Sequence, residues 1–121
     1  MTKHVALTGA LLSLLALSGP AMAAPPPKLN PAGEGRRLWL ELNCYSCHGM
    51  NAAGGMGPNI QHSDGGDVRE AVLQGEEGGM PSFKKYAKTK DINNLIAYLK
   101  TIGTKNEPVW VDWWNPNPGA H

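Results

Sequence analysis

"NCYSCHGM", residues 43–50, contains both cysteines of the 121-residue chain. Cys44 and Cys47 stand three apart, and His48 follows directly. A disulfide, a zinc ion and a haem are the three candidates for such a clip. A redox Cys-x-x-Cys pair usually opens a helix after a strand, in a chain that alternates the two. Here a helical pattern precedes the clip and no strand alternation is evident. A structural zinc site closes on four ligands, yet downstream of the clip only His62 and His121 remain, at no second paired spacing. Haem attachment fits the pattern. Two thiols three apart add across the two vinyl groups of the porphyrin, and the adjacent histidine comes beneath the iron. The expected cofactor is one covalent haem c, bound through Cys44 and Cys47, with His48 as an axial ligand.

The N-terminus agrees with that chemistry. Lys3 and His4 give a basic start, Val5 to Leu17 is largely apolar, and Ala21-Met22-Ala23 has the small-x-small pattern of a signal-peptidase site. Cleavage after Ala23 leaves a mature chain of about 98 residues. The apolar run is too short and broken for a span, which needs about 20 residues. Export to the periplasm is expected, with no membrane anchor after processing. Of the 11 Lys and Arg residues Lys3 falls in this leader, so basic residues balance the 10 acidic ones and a nucleic-acid partner is not expected.

The remaining chain reads as helical. Proline-rich "APPPKLNP" is an extended leader, and Asn30 followed by Pro31 is a helix start. That helix runs to about Leu42, with Leu38, Trp39 and Leu42 on one face, Arg36, Arg37 and Glu41 elsewhere, and Leu40 pointing away toward the bound group. From Gly49 to Gly66 a glycine-rich stretch predicts a long loop that wraps something. "DVREAVLQG" predicts a short helix capped by Asp67 and Glu70 and ended by Gly75. Ile92, Leu95, Ile96, Leu99 and Ile102 form the apolar stripe of a last helix, with Thr89 as its cap and Gly103 at its end. Three short helices and one phenylalanine make a thin core, so the haem is expected to supply the missing apolar bulk.

Met50, Met56, Met80, His62 and His121 are the candidates for the sixth iron position. Met50 is tethered to the same side as His48, and Met56 follows too closely to pass the ring edge. Met80 stands 32 residues after His48 in "GEEGGMPSF", where glycines permit close approach and Pro81 stiffens the turn. It is the favoured ligand; His62 and an open position are the alternatives.

Over about residues 35–103 the chain resembles the class I c-type cytochromes of bacteria. Cys44-Tyr45-Ser46-Cys47-His48 matches their attachment motif. "GMGPNI" is similar to the family loop whose proline carbonyl accepts a hydrogen bond from the proximal histidine, a role that would fall on Pro58. "GGMPSF" is similar to the axial-ligand loop, which implies Met80 as the sulfur donor. "INNLIAYLKTI" is similar to the final helix that packs across the first. In one spacing the chain departs: the first-helix glycine of the family usually stands eight residues before the first cysteine, whereas Gly35 stands nine before Cys44. The resemblance implies an all-α, small cytochrome c fold with about three main helices around one covalently attached haem. The domain layout is 1–23 signal peptide, 24–33 proline-rich leader, 34–104 haem domain and 105–121 Trp/Pro-rich tail.

His and Met ligation in both iron states suits a soluble, monomeric one-electron carrier with no catalytic residues, not an enzyme. The expected partners are redox proteins: a periplasmic quinoprotein alcohol dehydrogenase as donor, and a terminal oxidase or quinol-oxidising complex. A haem enzyme or gas sensor with an open sixth position, or a haem subunit of a larger complex, is the alternative. Lys84, Lys85, Lys88 and Lys90 follow the Met80 loop, either as a docking ring or as a solvated face. Trp110, Trp113 and Trp114 in the tail are read as added core, or else as a partner surface.

Overall fold

The computed structural model describes Gly19 and residues 28–109. The expected leader, most of the proline-rich segment, the tail tryptophans and His121 lie outside the described residues. Four helices follow in order: α1 Pro31–Glu41, α2 Tyr45–His48, α3 Gly65–Gln74 and α4 Thr89–Thr101. No strand forms among the described residues; Glu76 and Met80 make an isolated antiparallel bridge. None of the described helices is long and apolar enough to cross a membrane.

α1 begins where the sequence reading puts it. The Asn30 side chain accepts from Gly33 N at 2.8 Å, Pro31 occupies the first turn, and Glu34 reaches back to Leu29 N at 2.8 Å. Its far end is closed by a residue that the reading passed over. Asn43 adopts φ 56°, Cys44 N donates to Trp39 O at 3.0 Å, and Asn43 N donates to Leu40 O at 3.2 Å. These paired back-bonds are the Schellman closure, with asparagine in the left-handed position. They satisfy two late carbonyls of α1 and fix where Cys44 starts the clip.

The buried face of α1 differs from the expected one. Ala32, Gly35, Arg36, Trp39 and Leu40 are buried, while Leu38 and Leu42 are only partly so. Leu40 therefore belongs to the core face, about one turn on from Arg36. Arg36 is inside because α4 gives it a partner: its guanidinium donates to the Tyr98 hydroxyl at 2.7 Å and lies 5.6 Å from the centre of that ring. A charge so buried (5 % exposed) is tolerated only when it is hydrogen-bonded.

α1 packs chiefly on α4, and α3 adds a lighter contact. The crossing passes through Gly35 in spite of the shifted spacing. A Cβ there would overlap the Asn94 carbonyl and lie 2.8 Å from Tyr98 Cβ. Around it sit Trp39, Tyr98, Ile92 and Leu99, all below 2 % exposed. Side chains of this kind each contribute roughly 1.5–3 kcal/mol when fully buried. The stripe on α4 is as expected, with Ile92, Leu95, Leu99 and Ile102 buried and Ile96 partly buried.

Two caps differ from expectation. α3 starts earlier, at Asp64, whose carboxylate accepts from Gly66 N at 2.7 Å; Asp67 lies within the first turn. The glycines at 65 and 66 concealed this start, since they weaken helix propensity. α4 is capped at Lys88, whose N–H donates to Asp91 Oδ2 at 2.9 Å, so Thr89 is the first helical residue.

Candidate haem site

The clip is wound into α2, directly after the Schellman closure. His48 N bonds to Cys44 O at 3.0 Å, and Gly49 ends the turn at φ 79°. Cys44 and Cys47 do not pair as a disulfide. Cys47 is exposed; Cys44 is half-buried, and burial pushes its thiol up to about 11, against the pull of a backbone hydrogen bond. Before any thioether forms, Cys44 thus holds its proton at neutral pH.

The glycine-rich stretch does wrap something: the clip itself. Gly54 N donates to His48 O at 2.8 Å and Gly57 N to Cys47 O at 2.9 Å, while Ile60 N reaches Ala52 O at 2.9 Å. Gly49, Gly55 and Gly57 leave room for this fold-back. A Cβ at 49 would meet Gly54 O at 2.8 Å, and one at 55 would meet Cys47 O at 2.8 Å. A Cβ at 57 would stand 2.8 Å from Cε1 and 3.0 Å from Nδ1 of the His48 imidazole.

His48 is 7 % exposed, and its Nδ1 lies 2.9 Å from Pro58 O. A carbonyl oxygen only accepts, so Nδ1 is the protonated nitrogen and Nε2 carries the lone pair. Nε2 has no hydrogen-bond partner among the described residues. Trp39 flanks the imidazole with ring centres 6.1 Å apart, and Tyr98 lies 6.0 Å beyond Trp39. A ring held by its far nitrogen, with the near nitrogen basic and unclaimed, is the arrangement expected of a metal-ligating histidine.

Met80 is partly buried against the core cluster, in a loop tied to the end of α3. Ser82 Oγ donates to Leu73 O at 2.6 Å, Phe83 N to Val72 O at 2.8 Å, and Glu76 N to Met80 O at 2.9 Å. Gly75 at φ 77° closes α3 so tightly that a Cβ would come within 2.6 Å of Met80 O. Of the other candidates, Met56 is 87 % and Met50 46 % exposed. His62 is exposed, with a left-handed backbone at φ 58°. Among the described residues no three His, Cys, Asp or Glu side chains gather in a way that would hold a metal ion on their own. Two thiols suit attachment to the vinyl groups of a porphyrin, and the imidazole is of the kind that ligates its iron. Sequence reasoning reached these residues and missed Gly57 and Ser82. The near-contact and the tie become visible only when distant backbone is assembled.

Comparison with known proteins agrees with this geometry. The helices and the clip define a c-type cytochrome. A family model described as cytochrome c oxidase, cbb3-type, subunit III matches residues 30–99. A cytochrome c-553-like protein of Synechocystis is 31% identical over 75 residues, 59% of this chain and 69% of that protein. Cytochrome c55X of Paracoccus denitrificans is 31% identical over 100 residues, 78% of this chain and 95% of that one. Among solved structures, cytochrome cL of Hyphomicrobium denitrificans superposes with a TM-score of 0.53 at 24% identity, over 61% of this chain and 50% of that one. A dihydro-haem d1 dehydrogenase superposes at 0.50 with 28% identity, over 64% of this chain and 17% of that one. The chain thus spans half the length of the first solved structure and a much smaller part of the second. The chain belongs to the cytochrome c family that this model describes, and with that membership comes one covalently bound haem c.

Proposed function

We propose that this cytochrome c is a soluble periplasmic one-electron carrier in which Cys44 and Cys47 form the thioethers and His48 and Met80 are the axial ligands. The observation that carries the reading is the His48–Pro58 hydrogen bond, which leaves Nε2 basic and unclaimed. When bound, the haem iron supplies the centre that gains and loses one electron. The chain's own residues do the rest. The Pro58 carbonyl draws on the Nδ1 proton and makes His48 a stronger donor. A thioether from Met80 favours the ferrous state, in opposition to that donation. The α3 tie would hold Met80 in position in either oxidation state, so little would need to rearrange as an electron moves.

The donor we propose is a periplasmic quinoprotein alcohol dehydrogenase, with a terminal oxidase as acceptor, as exported cytochromes of this class commonly serve. The export pattern ending at Ala23 supports the location. A second reading, a haem subunit of a larger complex, is favoured by the match to a family model of an oxidase subunit. The deciding experiment is spectroscopic. The ferric protein is expected to show the weak far-red sulfur-to-iron band and, once reduced, to be indifferent to carbon monoxide. Met80→Ala is expected to lose the band and bind carbon monoxide rapidly. Rapid binding by the wild type would sink the carrier reading. Elution of the native haem protein from a periplasmic extract at the size of the isolated chain separates a free carrier from a subunit.

A further inference from the structure

After α4 the chain turns back on itself. Thr104 N donates to Thr101 O at 2.9 Å, Glu107 N to Thr104 O at 3.2 Å, and Gly103 N to Glu107 Oε2 at 2.6 Å. This turn carries Glu107 toward α1. Burial raises the Tyr98 phenol, Arg36 pulls it down, and the Glu107 carboxylate pushes it up again, so Glu107 stands within electrostatic reach of the Arg36–Tyr98 pair. The described chain ends two residues further on, at Val109, which is 79 % exposed. Next to Arg36 on α1 comes Arg37. It leaves the helix outside the face that Gly35, Trp39 and Leu40 turn to the core, yet its side chain is only 13 % exposed. Its ion pair with Glu34, at 3.1 Å, joins neighbours on the same helix and does not by itself bury a guanidinium.

We propose that the Arg36–Arg37 side of α1 is the docking site of this chain's own C-terminal segment, Trp110 to Trp114. The place where the described chain ends supports this occupant. Five residues beyond Val109 span at most about 17 Å, and the 11 residues of α1 are about 16 Å long. All three indoles therefore fall within one helix length of Val109. The chemistry matches as well. A planar, weakly hydrated guanidinium stacks on aromatic faces, and tryptophan is the best of them. Asp112 stands between the tryptophans, so the segment brings a carboxylate to a helix side that carries two cations. Burying three indoles there adds apolar area to a small domain at the helix crossing, away from the Cys47 edge of the clip. This assignment stands apart from the carrier reading and holds whatever the haem exchanges electrons with.

The test is a double-mutant cycle in the full-length holoprotein, read as melting temperature. Replacing Trp110, Trp113 and Trp114 together by serine is expected to lower it by roughly 10 °C. Arg37→Ala is expected to lower it by about 5 °C when the tryptophans are present and by less than about 2 °C when they are already gone. Arg69→Ala removes a guanidinium that bonds Asn93 at 2.7 Å between α3 and α4, and its effect should simply add to that of the tryptophan variant. Hydroxyl-radical footprinting of the wild-type holoprotein supplies a second readout that needs no variant. The three tail indoles are expected to label much more slowly than in a free peptide of residues 107–121. Additive effects of Arg37→Ala and the tryptophan variant would overturn the proposal. So would tail indoles that label as fast as the peptide, which would make them a surface for another protein. A melting temperature that rises with protein concentration would also overturn it, since the indoles would then sit on a second copy.

Discussion

His48 is gripped from two directions: Pro58 O pulls on Nδ1, and the missing side chain of Gly57 lets the backbone lie against the ring. Gly57→Ala is expected to push the imidazole away and lengthen the Pro58 bond. The weaker hydrogen bond makes the ring a poorer donor, so the midpoint potential should rise. Potentiometric titration checks this, with Gly55→Ala as a comparison that presses on Cys47 O and leaves the imidazole alone. Tyr98 carries a second residue-scale prediction. Burial raises its phenol above the ordinary value of 10.0, although Arg36 pulls the other way. The folded state therefore keeps a proton that the unfolded chain releases, and this contribution to stability is lost as pH rises from about 10 through the folded value. Tyr98→Phe should reduce stability at neutral pH by about 1–3 kcal/mol, because Arg36 loses an acceptor. It should also flatten the decline above pH 10 in alkaline denaturation curves. Pro58 was legible from its motif. Arg36 was not, because only α4 supplies the hydroxyl that lets a guanidinium turn inward.

Among the elements, α1 shows most clearly what a sequence discloses and what it conceals. Its start was legible in Asn30 and Pro31, which act on their immediate neighbours. Its end depends on Asn43 taking a left-handed conformation, which asparagine accepts but does not announce. That closure also bears on the spacing of Gly35: the helix crossing is kept although the glycine stands one residue further from the clip. Gly35→Ala sets two effects against each other. Alanine favours the helix by about 1 kcal/mol, while overpacking typically costs about 1–3 kcal/mol. Here the obstacle is the Asn94 backbone, which cannot rotate aside, so the steric cost wins. A net loss of about 2 kcal/mol is expected, read as a melting temperature lower by roughly 10 °C in the holoprotein. The apolar stripe of α4 was legible because its period is local; the start of α3 was not, because Gly65 and Gly66 disguise it.

For the molecule as a whole, the described core is one cluster in which α1, α3 and α4 meet, with Met80 and Phe83 at its margin. A small domain buries a modest share of its surface and is marginal without help. Holding a haem supplies the apolar area that the sequence lacks. Protein carrying Cys44→Ser with Cys47→Ser and purified without haem is expected to lose the cooperative thermal transition of the holoprotein, as followed by circular dichroism. A sharp, native-like transition would show that the helices stand unaided.

The grip on the proximal ligand closes within the stretch from Cys44 to Ile60, whereas Met80 belongs to the half of the chain that carries α3 and α4. A chain cut at exposed His62 would therefore yield two pieces of different competence. The first would retain both thiols and the imidazole; the second would retain the thioether and the helix whose Asn94 meets Gly35. Mixed together, they would have the helix crossing as one seam and, with Met80 ligating the iron as proposed, the porphyrin as the other.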